Sequence, residues 1–313
     1  MTVAALFASH TPLMDYVDPG AEIRAGVEAG FARLKRFVAD FAPELVIEFG
    51  PDHFNGFFYQ LMPAFCVGAA AHSVGDWRMP KGSLPVPADT AEALVRHVHS
   101  RDVDVAISYR MAVDHGITQL LVHVFDWSAL PPIVPIFVNG AAAPRARLSR
   151  VVALGRAVGE FAGSLGKRVL IVGSGGLSHD PPFPALASAP PEVRERMITG
   201  IDPDPEGRAA RQLRVLDEGR KMLDGTSKLL PLNPDWDRAV LAKLAAADFD
   251  GLAALDDEAI TREGGRGGHE IRTWIAGCAA MSALGPYRAD VQFYRDIAAW
   301  VAGFGMMTVE RSG

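Results

Sequence analysis

The feature that most narrows the fold is a set of short apolar runs separated by longer stretches with helical spacing. The runs at 3–8, 45–49, 106–108, 133–138 and 169–172 are β-branched or aromatic-rich and bounded by turn signals. An apolar run without alternation suits a strand covered on both faces. Within 21–41, Ile23, Val27, Phe31, Leu34 and Val38 recur at spacings of three and four, which places them on one helix face. Stretches 88–100, 116–125 and 146–165 behave alike. Strands alternating with helices predict an α/β fold, with a mostly parallel or mixed central sheet covered by helices on both faces.

Beyond about Pro190 the strand signal fades. Stretches 207–223 and 234–247 read as helices, the second opened by Asn233 as an N-cap before Pro234. A glycine-rich loop at 264–268 leads into a helix at about 269–284. No repeat, low-complexity tract or linker divides the chain, so residues 1–313 are expected to form one domain with a helical C-terminal portion.

Composition removes several function classes. Thirty-seven acidic against 31 basic residues leave a formal charge of −6 with no Lys/Arg block, which argues against a nucleic-acid partner. No apolar run is long enough for a membrane span. The opening Met1-Thr2-Val3-Ala4-Ala5-Leu6-Phe7 lacks the charged start of a signal peptide, so a cytoplasmic protein is expected. Cys66 and Cys278, far apart in apolar surroundings, read as buried thiols in a reducing compartment.

The histidines carry the functional signal. His10 follows the first apolar run, His53 the second in Pro51-Asp52-His53-Phe54-Asn55-Gly56, and His179 follows 169–172 through Gly173-Ser174-Gly175-Gly176-Leu177-Ser178. His115, in Val113-Asp114-His115-Gly116, precedes a helix. Strand ends of an open α/β sheet gather on the rim where such folds hold ligands, so these four of nine histidines should face one crevice. Imidazoles so clustered suit a metal. Glu270 is a candidate partner, because on a helix it lies about 40° from Trp274 of the buried stripe. Arg272, about 200° from Glu270, should meet solvent. A glutamate in a first helical turn is also favoured by the macrodipole without any metal.

The glycine cluster at 173–176 lacks both the ending of a phosphate loop and the register of a serine elbow, and reads as a tight turn carrying His179. His72, His97, His99 and His123 are assigned surface or packing roles. His269 is either a neighbour of the liganding shell or a loop residue.

These motifs, in this order and over nearly the whole length, resemble the class III extradiol dioxygenases of the LigB type. Leu232-Asn233-Pro234-Asp235-Trp236-Asp237 and His269-Glu270-Ile271-Arg272-Thr273-Trp274 continue the resemblance. It implies a LigB-like fold, Fe(II) held by His10, His53 and Glu270, His115 as general acid and His179 as general base. It also implies ring opening of a 2,3-dihydroxyphenyl acid with O2 in aromatic catabolism, by a homo-oligomer of tetramer size. The cation for the acid tail stays open among Arg78, Lys81, Arg110 and Lys167. Two rival readings use the same residues: a zinc hydrolase, and a non-enzymatic binding protein like the Memo family.

Overall fold

A computed structural model describes residues 2–200 and 205–312. Met1, in the opening run, lies outside the described residues. The strands are β1 (Val3–Ala8), β2 (Leu45–Gly50), β3 (Phe65–Gly68), β4 (Ala71–Ser73), β5 (Gly82–Ser83), β6 (Ala106–Ser108), β7 (Met111–Val113), β8 (Ile133–Val138), β9 (Val169–Ser174), β10 (Tyr287–Ile297) and β11 (Ala302–Arg311). The helices are α1 (Ala21–Phe41), α2 (Ala88–His99), α3 (His115–Val124), α4 (Leu148–Ser164), α5 (Pro191–Thr199), α6 (Pro205–Leu223), α7 (Pro234–Ala245), α8 (Phe249–Ala253), α9 (Asp257–Gly264) and α10 (Ile271–Ser282).

The fold is mixed α/β. Eight strands form the main sheet in the order β10-β11-β1-β9-β2-β8-β3-β6, and β5-β4-β7 form a small second sheet. β1, β9, β2 and β8 run parallel as its centre, while β11 and β3 pair antiparallel on either side. Each central strand is buried at every position, as a run apolar on both faces requires, and Glu48 of β2 is buried with it. On one face Phe7, Ile47 and Ile171 meet α2, α4, α7 and α10. On the other Leu6, Val46 and Val172 meet α1 and α3. α4 and α10 pack so closely that a Cβ on Gly155 or Gly159 would overlap the carbonyl oxygen of Ala276 or Ala280. Asn233 caps α7 by accepting from the Trp236 N–H at 3.1 Å. Cys66 and Cys278 are both buried free thiols. No helix among the described residues is long and apolar enough to cross a membrane.

Three expectations are corrected. The C-terminal portion ends in a long hairpin, β10–β11, that extends the sheet beside β1. β10 is an edge strand whose exposed positions carry Arg288, Asp290 and Arg295, and β11 holds Gly303 and Gly305, so neither reads as a strand from its residues. β6 lies at the other edge and is largely exposed rather than buried. Arg272 does not meet solvent. α10 is enclosed on all sides, and its Arg272 is fully buried against Asp257 at 2.5 Å and His269 at 2.8 Å.

Candidate metal centre and active site

Three adjacent parallel strands deliver three of the imidazoles. His10 lies two residues past β1, His53 three past β2, and His179 five past β9, all at the carboxyl rim. His115 arrives differently: it opens α3, placed there by β7 of the small sheet. Glu270 ends a short 3-10 turn, Gly267–Glu270, immediately before α10. All four imidazoles line one cavity of about 850 Å³.

The polar atoms converge. His10 Nε2 lies 3.5 Å from His53 Nε2 and 3.6 Å from Glu270 Oε2, and His53 Nε2 is 3.2 Å from Glu270 Oε1. His179 Nε2 is 3.5 Å from the same Oε1. Donors at right angles around an ion, each about 2.1 Å away, stand about 3 Å apart. The His10, His53 and Glu270 atoms fit such a cradle. The nitrogens of His10, His53 and His115 form a second possible set, lying within 4.8 Å of one another.

Each imidazole is anchored through Nδ1, which frees Nε2 to face the centre. His10 Nδ1 meets Ser174 Oγ at 3.0 Å, His53 Nδ1 meets Asp114 Oδ2 at 3.1 Å, and His179 Nδ1 donates to the Leu177 carbonyl at 3.0 Å. His115 Nδ1 meets Asp76 Oδ2 at 2.5 Å, while Asp76 Oδ1 accepts the His115 backbone N–H at 2.9 Å. Such outer partners fix tautomer and ring orientation in metal sites. Asp114 also caps α3, its Oδ1 accepting the Gly116 N–H at 2.8 Å. Glu270 is steadied by the Gly176 N–H, which donates to Oε2 at 2.7 Å.

The glycines make room for this. A Cβ on Gly176 or Gly267 would run into the His179 ring, and one on Gly175 would press on the Glu270 backbone. The tight turn expected around His179 is therefore needed for close approach on both sides of the imidazole.

Burial pushes the His10 imidazole down to about 3, against the pull of Glu270 and helped by His53 and His115. Burial would lower His53 as well, but Asp114 and then Glu270 outweigh it and hold its proton well above the ordinary range. Burial would lower His179 likewise, but Glu270 and then the Leu177 carbonyl outweigh it, and it ends raised. Burial would raise Glu270, yet His179 and His10 hold it well below the usual carboxylate range. The centre thus pairs a buried anion with protons that a cation would displace.

Sequence reasoning missed Asp76. It sits in a separate loop 39 residues before His115 and carries no local signal. Asp114 had one, as the acidic residue just before a helix. His72, expected at the surface or in packing, lines the cavity. His269 faces away from the centre: Arg272 donates to its Nδ1 at 2.8 Å, and its Nε2 meets Thr261 Oγ1 at 2.8 Å. Burial and the neighbouring Arg145 and Arg272 push it down to about 2, so it stays neutral. Of the open cations, Lys81 lines the cavity, whereas Arg78, Arg110 and Lys167 do not.

Comparison with known proteins accords with this architecture. Residues 4–305 match the family described as the catalytic LigB subunit of aromatic ring-opening dioxygenase. A Cupriavidus pinatubonensis protein named 2,3-dihydroxyphenylpropionate/2,3-dihydroxicinnamic acid 1,2-dioxygenase is 51% identical over 302 residues, covering 96% of each chain. A Rhodococcus protein of the same name is 50% identical over 308 residues, covering 98% of each. The crystal structure of the uncharacterized protein JW3007 from Escherichia coli K12 shares the fold, with a TM-score of 0.56 at 14% identity, over 97% of this chain and 98% of that one. Matched from the first strand almost to the last, the chain belongs to the LigB family of aromatic ring-opening dioxygenases.

Proposed function

We propose that the protein is an iron(II)-dependent extradiol dioxygenase that opens 3-(2,3-dihydroxyphenyl)propionate or 2,3-dihydroxycinnamate beside its hydroxyl pair, using O2. The carrying observation is the three-donor cradle of His10, His53 and Glu270, whose two histidines line a cavity together with the anchored imidazoles of His115 and His179. Two histidines and one carboxylate on one face are the donor set of non-haem iron(II) oxygenases. Ring stacking favours Glu270 over His115 as third ligand. The His53 and His115 rings lie nearly parallel, 18° apart with centroids at 4.3 Å, so their in-plane lone pairs do not meet at one point. His10 and His53 cross at 84°, as two donors to one ion can.

Bound in this cradle, iron(II) would bring catechol and O2 together and pass electron density from ring to oxygen. The rest falls to the chain. With Nδ1 committed to the Leu177 carbonyl, His179 would use Nε2, which faces Glu270 Oε1 at 3.5 Å, to take a proton from a catechol hydroxyl once a cation on Glu270 has displaced its own. Asp76 holds the His115 ring through Nδ1 at 2.5 Å, which leaves Nε2 as the nitrogen to return a proton as the carbon–carbon bond opens. Both atoms of O2 end in the product, and the two protons balance. The shared sheet supports one domain over 1–313, and the resemblance supports a cytoplasmic homo-oligomer.

Anaerobic purification, iron(II) addition and oxygen uptake test the reading. His115→Gln and His179→Gln should keep iron while turnover falls about 10²–10⁴-fold. His10→Ala, His53→Ala and Glu270→Ala should lose the iron. Iron lost from the first pair and kept by the other three would reverse the assignment. Turnover with zinc and without oxygen uptake would replace the dioxygenase reading with a hydrolase.

A further inference from the structure

The cavity is electrically unbalanced. Apart from Glu270 of the cradle, its lining among the described residues carries four cationic side chains, Lys81, Arg196, Arg211 and Arg214, and one carboxylate, Asp76, which is committed to His115. α5 presents Val193, Arg196 and Met197 to the cavity, a spacing of three and one that makes a single helix stripe, and its C-cap Gly200 lines the cavity beside them. The end of α5 is tied to the segment that follows His53: the Tyr59 N–H donates to the Met197 carbonyl at 2.9 Å, and the Gln60 N–H to the Ile198 carbonyl at 2.7 Å. The stripe is therefore held in place relative to the metal cradle.

The four cations differ in setting. Lys81 and Arg214 are exposed, and Arg211 has an interaction of its own. Arg196 is half-buried between apolar Val193 and Met197, and among the described residues its guanidinium has no acid or hydrogen-bond partner. A guanidinium stays charged under all ordinary conditions, and a partly desolvated charge is costly until it meets an anion. Its flat fork suits a carboxylate held by two parallel hydrogen bonds. We propose that Arg196 anchors the carboxylate on the side chain of the substrate, and so selects acid-bearing catechols over neutral ones. This rests on the ring-opening reading above.

The test compares 3-(2,3-dihydroxyphenyl)propionate with 3-propylcatechol, which lacks the acid, on the iron(II)-loaded full chain. Wild type should prefer the acid. In Arg196→Met the acid-to-neutral ratio of kcat/KM should fall about 10–100-fold, mostly through KM, as expected for losing a charge-assisted pair. Arg196→Lys should recover part of the ratio, and Lys81→Met should move it by less than about threefold. A wild type that cleaves both catechols equally well, or an Arg196→Met ratio unchanged from wild type, overturns the anchor while leaving the dioxygenase reading intact. So does a larger fall at Lys81 than at Arg196. Should Arg196→Met not fold, Arg196→Lys and the wild-type ratio decide alone. A wild type that cleaves neither catechol fails the function instead.

Discussion

Replacing Asp76 by Asn changes one atom in a buried contact and leaves the three-donor cradle untouched. Asp76 accepts two hydrogen bonds from His115, one from Nδ1 at 2.5 Å and one from the backbone N–H at 2.9 Å. An amide has one acceptor oxygen, so only one of these can survive. If the oxygen keeps the backbone bond, the NH2 faces Nδ1 and the ring loses its acceptor there. If it keeps Nδ1, two donors face each other at the start of α3. Either way a charge-assisted bond is lost in a site where His115 is only 4% exposed. Such bonds contribute about 1.5–3 kcal/mol, or roughly 10–150-fold. Oxygen-uptake kinetics on iron-loaded enzyme should show kcat reduced by about that factor, with KM little changed and iron content equal to wild type. Asp76→Asn with full kcat would refute the positioning role. Equal loss of iron and activity would show that Asp76 supports the cradle instead.

Two stability predictions follow from the core. Glu48 on β2 is fully buried, and neither carboxyl oxygen has a hydrogen-bond partner. Desolvation raises its carboxyl well above the ordinary value and favours the protonated form in the folded chain. Its stabilising share is complete below the unfolded value near 4.5 and is lost as pH rises toward the folded one. Glu48→Gln should therefore gain stability relative to wild type as pH rises from about 5 to 8, measured by urea unfolding; a gain that grows toward acid would contradict this. Gly159→Leu should force α4 away from α10 and cost about 1–3 kcal/mol, seen as a lower Tm, with an unchanged Tm showing that the helices can separate freely.

Much of the fold was legible because its signals are local. The runs that became β1, β2, β8 and β9 are apolar on both faces apart from Glu48, and burial on both faces is what the sheet gives them. The rim positions of His10, His53 and His179 followed from those strand ends, since neighbouring parallel strands must deliver their following loops to one edge. Asn233 as a cap was equally local.

Tertiary structure decided the rest. Glu270 joins His53 across 217 residues, and no spacing rule acts over that distance. Asp76 reaches His115 only because the small sheet folds back beside α3. Arg272 is buried because α10 is packed on every side, which a helical wheel with one wet face does not represent. The β10–β11 hairpin joins the sheet through β11, which pairs with β1 and buries Phe304, Met306, Met307 and Val309, while β10 is a half-polar edge strand. Residue types and their local periodicity determine elements and rims; which distant side chains meet there depends on how the loops close, and that is settled only when the whole core packs.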